Sequence, residues 1–473
     1  MKAALAMTGL TACAHLGEDA SETSRPNVLW LFTDEQRTDS LGCYGSPWAR
    51  SPAIDRLARE GVTFQRAVTP APVCGPARLS LFTGQYPTQT GVWDNMAQLF
   101  PESEHLTALF EAAGYQTAGI GRNHFMSSNP PFQTVWYKHL SDQVSWFSYA
   151  EGFDEAEYDV VKYPGEPYKW IFGGRFPGPI EATSEWQTIE EGKRWLKGRD
   201  AGAPFFLRLA FNAPHTPVSV PPPFDDCIPE DAVQYPADVE APSPAEPSWI
   251  RDGLRRSADA RLMSPEQIRK ARRYYYGFTA FVDWVIGSML AWMEEEGLLD
   301  NTIVVFAADH GTHIGDFGLV QKQTFYEPSV CVPYVFWRRE GLARDVRLTT
   351  PVETRSLLPT LLDLGGIAQP EATAGLSLAR CLRDGVEPPD DPVFSMFTLA
   401  SFPELEHDDP LMMVREGALK LSVRFAPEPT DVVLTDLDAD PLERENRADR
   451  PAYRDARDRL LAMAIARMET AER

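Results

Sequence analysis

The residues Asn27-Val28-Leu29-Trp30-Leu31-Phe32-Thr33 form an apolar run without alternation, and it stops abruptly at Asp34-Glu35-Gln36-Arg37. A strand that is apolar on both sides must be covered on both faces, as in a parallel sheet held between two helical layers. The pattern recurs. Residues 116–120 lead into Gly121-Arg122-Asn123-His124, residues 205–211 into Asn212-Ala213-Pro214-His215, and residues 302–308 into Asp309-His310-Gly311. Open α/β sheets bind their ligands at the carboxyl ends of the strands. Four such strands would deliver Asp34, His124, His215 and Asp309 to one end of a sheet, and this convergence constrains fold and function together.

Helical periods lie between the strands. Residues 105–113 place Leu106, Leu109, Phe110 and Ala113 on one face, and Gly114 stops the run. Ser264-Pro265-Glu266-Gln267 combines an N-cap, a first-turn proline and a capping-box partner. The long helix it opens has Tyr275, Phe278, Val282, Val285, Met289 and Trp292 on its apolar face, and Gly297 closes it. The alternation predicts an α/β fold with a large, mostly parallel sheet flanked by helices. After about residue 370 the pattern changes to short strand-like pieces (412–415, 419–424, 432–434) before a helix at about 452–468. These predict a smaller C-terminal subdomain of antiparallel sheet plus helix. The proline- and acid-rich stretch 217–257 reads as a long surface loop. The aromatic, glycine-rich stretch 132–178, with Trp136, Tyr137, Trp146, Phe147 and Tyr149, reads as an insertion over the site. The expected division is a leader and tether over residues 1–25, a catalytic domain over 26–370 and the subdomain over 371–473.

Charge narrows the partners. The formal net charge is −23, which opposes binding to nucleic acid or an anionic membrane. An anionic substrate must then be met by a local basic pocket. No long apolar run suits a transmembrane helix. At the N-terminus Lys2 precedes the apolar residues 3–10 and Leu10-Thr11-Ala12-Cys13, which reads as a secretory signal. Its ending resembles a bacterial lipoprotein signal, with Cys13 as the lipid anchor. The expected location is therefore periplasmic or membrane-anchored, and the shortness of the apolar stretch leaves a cytoplasmic location open. The six cysteines fit neither a zinc template nor a dense disulfide framework, and their spacing leaves individual pairings open.

Cys74-Gly75-Pro76-Ala77-Arg78, continued by Leu79-Ser80-Leu81-Phe82-Thr83-Gly84, is the sharpest motif. On its own a lone cysteine in a Pro/Gly turn is a buried thiol. This string, however, resembles the signature of the formylglycine-dependent sulfatases, of the alkaline-phosphatase-like superfamily. Their signature cysteine is oxidised to formylglycine by a maturation enzyme. The resemblance implies the rest of a site. Asp34 and Glu35, with Asp309 and His310, match the family's two metal-binding pairs, joined by the modified Cys74. Carboxylate oxygens suit Ca²⁺ or Mg²⁺, and the imidazole of His310 leaves Mn²⁺ possible. Asp309 would also accept the nucleophile's proton. Arg78 would hold the formylglycine. Arg122 stands where the family has a lysine that binds sulfate, and His124 would take the second hydroxyl proton. His215, in Pro214-His215-Thr216-Pro217, would serve the leaving oxygen, and Lys322 would contact it and the sulfate. Asn95 matches a substrate-pocket asparagine.

A hydrated aldehyde offers two hydroxyls on one carbon, one to attack sulfur and one to expel sulfate, which divides a hard step in two. The implied function is hydrolysis of a sulfate ester, by analogy of a sulfated carbohydrate. Glu35 and His310 depart from the commonest family residues, and a histidine at position 310 also occurs in branches that cleave phosphonate or phosphate esters. A phosphonate or phosphate diester hydrolase is thus the alternative. A choline-sulfate or aryl-sulfate hydrolase and an inactive, surface-anchored glycan-binding protein are the other readings.

Overall fold

The computed structural model describes residues 25–95, 105–122, 132–137, 156–164, 171–236, 239, 246–370, 375–400 and 409–469. Cys13, His124, Trp146, Phe147 and Tyr149 lie outside the described residues.

Among the described residues the central sheet has eight strands. In chain order they are β1 (Asn27–Thr33), β2 (Val62–Phe64), β3 (Gln116–Gly121), β4 (Thr134–Tyr137), β5 (Phe205–Ala210), β6 (Thr302–Ala308), β7 (Tyr334–Trp337) and β8 (Val346–Leu348). Their spatial order is β8-β2-β7-β6-β1-β5-β3-β4. β1 pairs in parallel with both β6 and β5, β3 with both β5 and β4, and β2 with β8. Of these eight, only β7 runs against its neighbours, β6 and β2.

Side chains alternate across a strand, and β1 shows what this does. Leu29 and Leu31 enter one core with Ile189, Leu196, Tyr275, Phe281 and Val285. Val28, Trp30 and Phe32 enter the other with Leu81, Phe82, Phe110 and Leu361. The first layer is built on the helices Ser184–Gly198 and Pro265–Glu295, the second on Cys74–Thr83, Leu106–Ala112 and Leu357–Leu364. The helix Pro265–Glu295 starts as its sequence predicts. Ser264 accepts from the Gln267 amide at 3.1 Å, and the Gln267 side chain accepts from the Ser264 amide at 2.8 Å.

A second, antiparallel sheet follows, with strands β9 (Val393–Phe397), β10 (Leu411–Glu416), β11 (Leu419–Ala426) and β12 (Glu428–Asp436) in sequential order. Met412 and Val414 of β10 pack with Leu460 and Ala464 of the terminal helix Arg454–Glu469, and Leu411 and Met413 pack with Val73, Trp249 and Phe325 of the main body.

Two stretches expected to be irregular carry structure. Residues 132–178 contribute β4 to the central sheet, and their strands Val161–Lys162 and Ile171–Arg175 form a small sheet with Val218–Val220. The predicted loop 217–257 supplies that last strand and a helical turn at Trp249–Leu254. No helix among the described residues is long and apolar enough to cross a membrane.

Candidate active site

The parallel register of β1 and β6 brings Thr33 level with Ala308, so the residues that follow arrive together. Asp34, Glu35, Asp309 and His310 are all fully buried. Asp309 Oδ1 accepts from the amides of Glu35 (3.1 Å) and His310 (2.9 Å), locking the two strand ends to each other. On the other side of β1, the Asp34 amide donates to the carbonyl of Ala213, just beyond β5 (3.3 Å).

Cys74 opens the helix Cys74–Thr83 and is 1% exposed. Pro76 suits the first turn, and Gly84, in the left-handed region, ends the helix. Cys74 Sγ lies 3.1 Å from His310 Nε2, 3.2 Å from Lys322 Nζ and 3.9 Å from Asp34 Oδ1. One turn on, Arg78 forks between the strand ends: Nε reaches Asp309 Oδ2 at 2.9 Å, and Nη2 donates to Asp34 Oδ2. Arg122 Nη1 pairs with Asp34 Oδ2 at 2.9 Å and also donates to Asn212 Oδ1.

Lys322 donates to Glu35 Oε1 and lies 3.2 Å from His215 Nε2, which is itself 3.2 Å from Glu35 Oε1. His215 Nδ1 faces the Thr216 carbonyl and His310 Nδ1 faces the Gly311 carbonyl (2.8 Å). A carbonyl only accepts, so both rings carry hydrogen on Nδ1 and turn Nε2 toward the site. Asn95 takes a different post: its Oδ1 accepts from the Gly75 amide at 2.7 Å, capping the Cys74 helix. Of the sequence-derived residues, then, Asp34, Glu35, Cys74, Arg78, Arg122, His215, Asp309, His310 and Lys322 meet in one cluster, and Asn95 stands at its edge.

Opposite charges are balanced here: Asp34, Glu35 and Asp309 face Arg78, Arg122 and Lys322. Burial alone would raise the Asp34 carboxyl, but Arg122 and Arg78 outweigh it and hold the group at about 2. Burial would lower His310, yet Asp309 and Cys74 raise it to about 9. Lys322, which burial disfavours as a cation, is raised by Cys74 and Glu35.

Three buried atoms of the cluster lack a hydrogen-bond partner among the described residues: Glu35 Oε2, Arg78 Nη1 and Arg122 Nη2. Buried polar groups are almost always paired, so these mark where something else belongs, a cation beside the carboxylate and an anion beside the guanidinium groups. Donors from Asp34, Cys74, Asp309 and His310 lie within 4.8 Å of one another, as do those of Asp34, Glu35 and His215. Hard oxygen donors with one imidazole, its other nitrogen bonded to a backbone carbonyl, fit a divalent cation.

Sequence reasoning missed Asn212 and Tyr275. Asn212 was visible as the polar residue that follows β5. Tyr275 fits the apolar face of a long helix, where its ring alone accounts for its presence.

Comparison with known proteins agrees with this architecture. The sulfatase family model matches residues 26–367, and the model "N-sulphoglucosamine sulphohydrolase, C-terminal" matches residues 315–470. Similar proteins include the choline-sulfatase of Rhizobium meliloti, 29% identical over 91% of this chain and 83% of that protein. Another is the multifunctional alkaline phosphatase superfamily protein PehA of Trinickia caryophylli, 28% identical over 91% and 92%. Among solved structures, the phosphonate monoester hydrolase of Agrobacterium radiobacter superposes with a TM-score of 0.79 at 24% identity, covering 94% of this chain and 96% of that one. A protein in complex with its substrate D-glucosamine-2-N,6-O-disulfate superposes with a TM-score of 0.74 at 20% identity, covering 95% and 98%. The chain belongs to the sulfatase family of sulfuric ester hydrolases, within the alkaline-phosphatase-like superfamily.

Proposed function

We propose that the chain hydrolyses the sulfate ester of a sulfated carbohydrate, with Cys74 acting after conversion to formylglycine and with a divalent cation, Ca²⁺ by preference. The observation that carries this is the convergence of His310 Nε2, Lys322 Nζ and Asp34 on the one side-chain atom of Cys74. A thiol is a weak hydrogen-bonding group, and an oxygen-bearing hydrate makes far better use of such neighbours. Asp34, Glu35, Asp309 and His310 would hold the cation, which when bound polarises a sulfate oxygen and acidifies a neighbouring hydroxyl. Formylglycine hydrate supplies a hydroxyl to attack sulfur and a second one to release sulfate.

The chain's own residues do the rest. Arg78 and Arg122 present their unpaired Nη1 and Nη2 to the anion. Lys322 neutralises charge at the leaving oxygen. His215, once protonated on both nitrogens, can give that oxygen a proton from Nε2 while the Thr216 carbonyl holds its Nδ1–H. Asp309 receives the nucleophile's proton, and His124 the one lost when sulfate is released. The carbohydrate part draws on the neighbour bound to a sulfated glucosamine. Export, with Cys13 as anchor, is proposed on the leader sequence alone.

The test is the mass of the tryptic peptide 67–78 from protein made in its native host. Replacement of the thiol-bearing carbon by an aldehyde or its hydrate supports the reading. An intact thiol in every copy rejects it and favours an inactive glycan-binding protein. His310, together with the fold shared with phosphonate monoester hydrolases, favours a phosphonate or phosphate diester hydrolase as the alternative reading. Sulfate and phosphonate esters of one aryl alcohol separate the two: faster turnover of the phosphonate would displace the sulfate.

A further inference from the structure

Among the described site residues only Glu35 has a left-handed backbone, with φ 60°. That region is unfavourable for a residue with a Cβ, and it persists where the surroundings over-determine it. The reason lies in geometry. Consecutive residues of an extended strand point to opposite faces, so Asp34 and Glu35 could not both reach one pocket if β1 simply continued. The left-handed turn brings the Glu35 carboxylate back. Asp34, Glu35 and His215 then offer donors within 4.8 Å of one another, and Glu35 Oε2 is left buried without a partner among the described residues.

Two contacts fix the turn. On its amino side the Glu35 amide donates to Asp309 Oδ1 at 3.1 Å. On its carboxyl side one hydroxyl does the work of two partners: Tyr275 donates to the Glu35 carbonyl (2.5 Å) and accepts from the Arg37 amide (2.9 Å). Tyr275 is fully buried on the helix Pro265–Glu295, whose rigidity it lends to the loop.

We infer that Tyr275 is a positioning residue: its hydroxyl holds Glu35 in the left-handed conformation that presents both carboxylates to a cation. The inference rests on the reading of Glu35 as a cation ligand. The test is calorimetric titration of Ca²⁺ into the full chain and its Tyr275→Phe variant. Phenylalanine keeps the ring and its packing but removes the clasp. Weakening of Ca²⁺ binding by about 10- to 100-fold is expected, the range for partners that orient metal ligands. Turnover should recover at saturating Ca²⁺, because every ligand is still present.

A Glu35→Asn background gives the other arm. Asparagine visits the left-handed region more readily, so Tyr275→Phe should weaken Ca²⁺ binding less there than beside Glu35, a non-additive cycle. Unchanged Ca²⁺ affinity in Tyr275→Phe, or an equal loss in both backgrounds, would overturn the inference. A wild-type chain that takes up no Ca²⁺ would remove the cation reading beneath it, and the inference with it.

Discussion

Arg122 shows how much one side chain can be asked to do. Its Nη1 is committed to Asp34 and Asn212, while Nη2 is buried without a partner among the described residues. Lysine offers a point charge in place of this fork. Arg122→Lys should keep the Asp34 pair and lose the remaining donor, lowering kcat/KM by about tenfold, mainly through KM, as befits one charged hydrogen bond. Steady-state kinetics on an aryl sulfate will show it. His313 carries the pH dependence of a different property. It is fully buried, bonded through Nε2 to Thr324 Oγ1 at 2.7 Å and packed edge-on against Phe317 and Tyr326. Burial, aided by Arg37 and Arg255 against Asp316, pushes it down to about 3 from an ordinary 6.5. Between these values the unfolded chain binds the extra proton. The stability contributed is therefore complete above the ordinary value and is lost as pH falls, with a slope of up to about 1.4 kcal/mol per pH unit. The unfolding midpoint should drop from pH 7 to pH 4, and His313→Gln should flatten that decline.

Elements differ in how plainly they announce themselves. β1 and β6 are legible almost residue by residue because strands buried on both faces are unbroken apolar runs. The helix Pro265–Glu295 is legible from its cap. β2, β7 and β8 have three or four residues each, too few to show a period, and β12 opens on Glu428-Pro429-Thr430-Asp431, polar enough to hide the strand behind it. The candidate cluster is legible for the same reason as β1: polar residues stand out where an apolar run ends. Tyr275 is hidden by the converse, a hydroxyl on a residue whose ring already satisfies the helical pattern. Junctions are where substitutions will tell most. Gly121, at the end of β3, has φ 101°, and a Cβ there would sit 2.0 Å from the Ala210 carbonyl oxygen of β5. Arg122 follows directly, its amide bonded to the same oxygen at 2.7 Å. Gly121→Ala should cost about 2 kcal/mol or more in chemical unfolding and lower turnover by displacing Arg122.

At the scale of the molecule, the antiparallel sheet is bound to the segment that follows Lys322, at the end of the central sheet that carries the candidate site. Lys420 of β11 donates to the Phe325 carbonyl (2.8 Å), to Glu327 (3.0 Å) and to Glu443 (2.6 Å), and Arg415 of β10 reaches Glu327 at 3.0 Å. Phe325 and Glu327 lie just past Lys322, so the antiparallel sheet braces the segment that carries it. The Lys420 and Glu443 side chains are almost wholly buried. Lys420→Met would take the paired cation away from the buried Glu443 carboxylate and from that of Glu327, and should lower the unfolding free energy by about 3 kcal/mol, read from the urea midpoint. Val73 shares an apolar cluster with Phe397, Leu411 and Met413 of the same sheet, so this sheet also packs against the residue that precedes Cys74. With 1% of its surface open, that thiol is shut away from any other protein once the fold is complete. In a cell this makes the chemistry a matter of timing. If Cys74 is converted to formylglycine as proposed, the converting enzyme must reach it before this fold closes, and a copy that folds first would keep its thiol.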